Sequence, residues 1–146
     1  MGYQTALFLH AAATFFMVGL IWVIQCVQYP LFLKVGRADF QLFHAEYVQR
    51  IGWVVGVMMP VEMGFAGYLF LSEACSGLKP WAGAGLGCLA LIWGITAFVQ
   101  APQHQRLKQG YDTALIRRLA AGNWARTLLW TIRAVLALIM LGIDCI

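Results

Sequence analysis

The sequence predicts an all-α fold, a polytopic membrane protein built as a four-transmembrane-helix bundle in one domain, residues 1–146. The second helix is expected to carry a cytoplasmic extension, and a short interfacial helix is expected before the fourth. Three observations predict this. First, 62% of the 146 residues are hydrophobic and 11% charged, with a mean hydropathy of +0.75, which is more apolar side chain than one small core can hide from water. Second, four apolar stretches stand out, at about 6–28, 51–72, 81–101 and 124–143. At 1.5 Å per helical residue each covers roughly 30 Å, the thickness of a bilayer core. Third, the Lys and Arg residues beside these stretches crowd onto one side.

The first span carries no charge, and its main polar side chains are His10, Thr14, Gln25 and Gln28. It is too long for a signal-peptide core and lacks a basic flank and a cleavage pattern, so it is expected to remain as a helix. Residues 38–50 contain good helix formers and no Gly or Pro, with Asp39 placed to cap, so the second helix is expected to begin well before it enters lipid. Pro60 and Glu62 fall inside that span. In the third, Gly83, Gly85 and Gly87 suit close helix packing and not a phosphate loop. Pro102 is expected to end or bend the third helix and Gly110 to break the chain. Residues 112–119 read as the short interfacial helix, and Gly122 and Asn123 as the opening of the last span.

Orientation follows from the basic residues. Lys34, Arg37, Arg50, Arg106, Lys108, Arg117, Arg118 and Arg126 lie on one side, Lys79 alone on the other, and Arg133 within the membrane. The positive-inside rule then places both basic segments in the cytoplasm and both termini outside, in the periplasm for a multi-pass protein of the cell (inner) membrane. The net charge of +4 is thereby a topology signal, and without aromatic interleaving it does not indicate nucleic acid. Cys75 and Cys145 lie just past the outer ends of spans two and four, where an oxidising compartment permits a disulfide; two unrelated small residues at helix ends is the other reading. Cys26 and Cys88 fall inside spans.

Glu62 near the middle of span two and Arg133 near the middle of span four are the costly residues, each expensive by several kcal/mol if alone in lipid. Two readings stand. They form a buried ion pair that fixes helix register, or they form a catalytic centre in which Glu62 moves a proton and Arg133 holds an oxygen. Helical spacing extends each span into a polar stripe: His44, Tyr47, Ile51, Val55, Met58 and Glu62 on the second; Asn123, Arg126, Trp130 and Arg133 on the fourth; Trp93, Thr96, Gln100 and His104 on the third; His10, Thr14, Met17, Ile21, Gln25 and Gln28 on the first. Four such stripes closing together make an amphiphilic interior, with Gln25, His44, Tyr47, Trp93, Gln100, His104, Asn123, Arg126 and Trp130 as its ligand-binding candidates. Interhelical hydrogen bonding is the plainer account of the same residues.

No metal site is indicated. A di-iron bundle needs several span-borne Glu, and there is one; Met58, Met59 and Met63 point different ways, and no CxxC exists. The sequence specifies no cofactor. Axial haem ligation by His44 and His104 would require their helices to converge below the membrane.

The run Pro102-Gln103-His104-Gln105-Arg106-Leu107, with Asn123-Trp124-Ala125-Arg126-Thr127 and Trp130-Thr131-Ile132-Arg133, resembles the last third of a family of small four-helix integral membrane proteins whose named members are anthrone oxygenases. His104 stands at that family's Asn position and Trp130 at its last-helix His, while Arg133 matches. The resemblance implies the four-helix fold and Arg133 as a site residue. Two functions are therefore expected to compete. One is an enzyme or binding protein for a lipophilic, oxygenated molecule such as a quinone, anthrone or polyketide, stacked on Trp93 and Trp130, with an oxidoreductase or oxygenase activity. The other is a non-catalytic bundle acting as a homo-oligomer, a membrane subunit or a lipid-binding protein. Trp22, Trp53, Trp81 and Trp124 serve either as interfacial anchors. The topology is checked by cysteine-accessibility labelling of intact cells: cysteines introduced at positions 106 and 117 are expected to be shielded, and labelling from outside would reverse the orientation.

Overall fold

A computed structural model describes residues 2–72 and 75–143. The first span is a rod in three pieces: α1 (Tyr3–Val23), a π turn (Ile24–Gln28) and α2 (Tyr29–Phe32). The second is α3 (Phe40–Leu71), unbroken. The third runs from a 3-10 turn (Ser76–Leu78) through α4 (Lys79–Ile95), a second π turn (Thr96–Gln100) and α5 (Ala101–Leu107), and the fourth is α6 (Thr113–Leu141). All four rods are long and apolar enough to cross a membrane. The chain is an all-α four-helix bundle.

Each π turn ends two residues before a proline, Pro30 and Pro102. Proline cannot donate to the carbonyl four residues back, and a wider turn just ahead of it lets the rod continue beyond. Pro102 therefore neither ends nor breaks the third helix, which continues to Leu107. Pro60 sits on an exposed face of α3, which passes it without any such turn.

α6 is the central rod, packed on α1 and α4, while α3 packs on α1 and α4 and only lightly on α5. Buried Ala6, Ala11, Ala13, Ala66, Ala82, Ala134 and Ala137 let the rods approach closely. One core cluster, including Phe32, Phe40, Leu107, Ile116, Leu119 and Trp130, gathers toward the basic end; another, of Ala6, Leu7, Leu69, Leu78, Ala82 and Met140, closes the other. Trp22, Trp53, Trp81 and Trp124 all retain exposed surface.

The helix starts differ from expectation in three ways. α3 begins at Phe40 as anticipated, and Asp39 occupies its N-cap position, but the side chain makes no capping bond. Residues 113–119 are not a separate interfacial helix; they are the first turns of α6, which Asp112 caps by accepting from the N–H groups of Ala114 at 2.8 Å and Leu115 at 3.1 Å. Gly122 and Asn123 do not open the last span either but lie inside it. A Cβ at Gly122 would come within 3.3 Å of the Gln100 amide nitrogen, so this glycine makes room for a neighbouring helix and does not break its own. The chain turns at Gly110, whose φ of +153° favours glycine.

Cys75 is disulfide-bonded and Cys26 and Cys88 are free; the other expected end of the bridge, Cys145, lies outside the described residues. Because only one of the two aspartates caps, Asp112→Ala is expected to cost about 1 kcal/mol and Asp39→Ala much less. Thermal denaturation of the two variants in detergent checks the contrast, and equal losses would contradict the capping geometry.

Candidate functional site

The structure separates the membrane-buried polar groups into two centres. In the first, Glu62 and Arg133 meet: Arg133 donates to Glu62 Oε1 through Nε at 3.1 Å and Nη2 at 2.9 Å. The remaining Glu62 oxygen accepts from the Trp130 indole N–H at 3.1 Å. Arg133 Nη1 donates to the Gly85 carbonyl and Nη2 to Thr14 Oγ1 at 3.5 Å. A Cβ at Gly85 would stand in ordinary contact with Nη1, at 3.6 Å, so this approach does not require a glycine. Every nitrogen of the guanidinium and both carboxylate oxygens are thus engaged, at 2% and 0% exposure. The void beside the pair, toward His10, holds about 10 Å³, room for one water at most. Of the two sequence readings, this geometry is that of the register-fixing ion pair.

The second centre lies toward the basic end. A cavity of about 160 Å³ is lined by all four spans: Ile24 and Tyr29 from the first, Tyr47, Val48, Ile51, Gly52 and Val55 from α3, Thr96, Gln100, Ala101, His104 and Gln105 from the third, and Arg126 from α6. Both π turns contribute to its wall, at Ile24 and at Thr96 and Gln100. Such turns cluster at functional sites because they displace side chains from the regular helical pattern.

A hydrogen-bonded chain runs along this wall. Gln100 donates to the Leu119 carbonyl at 3.4 Å, which turns its amide oxygen toward the Tyr29 hydroxyl, also at 3.4 Å. Tyr29 then donates to Gln100, so His104 Nε2, 3.3 Å away, is the donor to Tyr29. His104 Nδ1 is left to accept from His44 Nε2 at 3.1 Å. The two imidazoles are nearly parallel, with ring centres 5.2 Å apart, and buried His44 Nδ1 has no partner. The chain holds the two imidazoles and the phenol in fixed orientations along the wall. Their direct contact argues against axial haem ligation: two axial nitrogens would stand about 4 Å apart with iron and macrocycle between, for metal–nitrogen bonds of about 2 Å.

Arg126 is the unbalanced group. It is 6% exposed, its guanidinium stands 5.3 Å over the Trp130 ring, its Nε has no acceptor, and among the described residues no carboxylate pairs with it.

Tyr47, Gln100, His104 and Arg126 share the cavity as the stripes predict, with His44 one bond behind. Gln25 and Asn123 instead bond each other at 2.9 Å outside the cavity lining. Trp130 is fully buried, its indole committed to Glu62 and its face to Arg126, so it offers no free stacking surface. Arg50 points away and pairs with Glu46 on the surface at 3.6 Å. Trp93 is a correction: it is 38% exposed and does not line the cavity. Tyr29 was not among the expected residues. Both discrepancies are one-position slips along a stripe. The sequence stripe runs Gln25, Gln28 on the first span and Trp93, Thr96 on the third. The inward positions are instead Gln25 and Tyr29, at either side of the first π turn's end, and Ile92 and Thr96, four apart as the rod enters the second. Tyr29-Pro30 was the available signal, since a proline inside an apolar stretch marks where the phase slips.

Breaking the ion pair from one side should be far worse than removing it. Arg133→Met alone is expected to destabilise by about 3–5 kcal/mol, and Glu62→Gln placed beside it to recover much of that loss, as read from thermal midpoints; an equal loss in single and double variants would show the groups uncoupled. Comparison with known proteins adds no relative to this geometry: no family model, curated protein or solved structure matches the chain.

Proposed function

We propose that the protein is a multi-pass protein of the cell membrane that binds a lipophilic, oxygen-bearing small molecule in the cavity at Arg126. The observation that carries this reading is the unpaired guanidinium. A lone charge within a membrane bundle costs several kcal/mol, and stacking over Trp130 returns about 2 kcal/mol at best. An oxygen of a ligand, presented from the cavity, supplies the missing acceptor. Arg126 replaces Arg133 in the role first expected for the latter, because four of the five N–H groups of Arg133 are already bonded within the protein and the void beside it has room for one water at most.

The rest of the wall suits the same guest. Tyr29 and Tyr47 bring phenol groups, Ile24, Ile51 and Val55 bring an apolar bed, and the volume matches one ring, since a cavity of about 150 Å³ accepts benzene. Tyr29 can turn its O–H from Gln100 to a ligand oxygen while its own oxygen still accepts from His104 Nε2. With the positive-inside orientation, the cavity occupies the cytoplasmic half of the membrane.

Arg126→Met removes a charge that no carboxylate balances among the described residues, so the ligand-free protein is expected to keep or raise its thermal midpoint. The same variant is expected to lose any small molecule that co-purifies with the wild type, as read by mass spectrometry of solvent extracts. Undiminished retention in Arg126→Met would end the proposal.

A further inference from the structure

We infer that the ligand reaches Arg126 sideways from the bilayer, through a gap between α3 and the third span at Gly52, and that it is a single-chain amphiphile with an anionic oxygen head. This inference rests on the cavity being a ligand site and specifies what the site takes.

The gap follows from how the walls are built. α3 packs firmly on α4 and only lightly on α5, so the two spans part toward the basic end. At that parting Gly52, Ala101 and Gln105 line the cavity and are also exposed at the surface. A Cβ on Gly52 would meet nothing within 4 Å. Gly56, Gly64 and Gly67 on the same helix are equally bare, and of these four glycines of α3 Gly52 is the one that lines the cavity, although a mid-helix glycine weakens a helix relative to alanine. Its bare backbone leaves the mouth open.

Depth fixes which solvent meets that mouth. Gly52 lies ten residues from Glu62 along α3, or about 15 Å, which is half the thickness of a hydrocarbon core of about 30 Å. With Glu62 at mid-membrane, the opening stands where acyl chains meet headgroups. Trp53 beside it, 72% exposed, is the residue type that settles at that boundary.

Size and charge then select the guest. About 160 Å³ takes one ring or a short length of chain, so a longer molecule leaves its remainder in the bilayer. A two-chain glycerophospholipid head is too large. The deep end holds a cation with no counter-charge, and the mouth is lined by Val48 and Val55. A carboxylate-headed chain satisfies both ends: its oxygens reach Arg126, and its tail runs out past Gly52.

The test uses the full chain in phosphatidylcholine vesicles with palmitic acid carrying a diazirine near its carboxyl group, photolysed and mapped by peptide mass spectrometry. In the wild type, labels are expected on the peptides holding Tyr29 and Arg126. Gly52→Phe and, at the same mouth, Val48→Trp are expected to cut that labelling at least tenfold with unchanged thermal midpoints, as is Arg126→Met through an open mouth. Labelling lost in Arg126→Met but kept in both mouth variants overturns the lateral route and leaves the cavity reading standing. Labelling kept in all three removes both. Loss in the mouth variants alone removes Arg126 as the anchor, and a wild type that takes no label at these peptides removes the anionic single-chain class.

Discussion

A carboxylate and a guanidinium can both stay charged in the middle of a membrane only if they are brought into contact, and that requirement organises this bundle. Glu62 on α3 and Arg133 on α6 are joined by Trp130, Thr14 and the backbone of Gly85, so all four spans are tied at one level. Sliding any span along its axis by one turn, about 5.4 Å, would leave at least one charge or donor unpaired in lipid. Apolar packing alone discriminates poorly between such registers in a bilayer, because the lipid is as apolar as the side chains. The network supplies that discrimination, whatever its net contribution to stability.

With register held at mid-membrane, the basic half of the bundle is free to be imperfect. There the spans part, two π turns interrupt the rods, and a cation stays unbalanced. Such departures from local rules are tolerated where a structure serves something beyond folding. The closed centre and the open one also share a boundary: Trp130 gives its N–H to Glu62 and its ring face to Arg126. One indole thus stands between the cavity's arginine and the network beneath it.

Much of this was legible in the sequence. Hydropathy and length marked the four spans, because lipid exposure leaves an unbroken apolar record. The long second helix could be read from residues 38–50, and the Glu62–Arg133 contact from the cost of leaving either alone. What the sequence concealed were local choices made by tertiary packing. Asp39 and Asp112 look equally able to cap, yet only Asp112 has the extended backbone that turns its carboxylate toward the following N–H groups. Gly122 resembles a helix breaker until Gln100 is found against it. Arg126 and Arg133 look alike on one stripe, and only their partners distinguish the one paired with a carboxylate from the one that is not.

The π turns carry a consequence for how this chain can change over time. A π turn is, in effect, one residue inserted into an α-helix, and it advances the phase of everything beyond by about 100°. Tyr29 and His104 both lie beyond such a turn, so the direction each faces is tied to the length of the segment ahead of it. Deleting a single residue from 24–28 or from 96–100 would restore a more regular helix and could even improve its hydrogen bonding, while swinging the phenol or the imidazole out of the wall. A one-residue deletion would turn Tyr29 or His104 together with the buried Phe32 or Leu107 beyond it, whereas a substitution leaves the phase intact. Length, more than residue identity, is what these two short stretches must preserve.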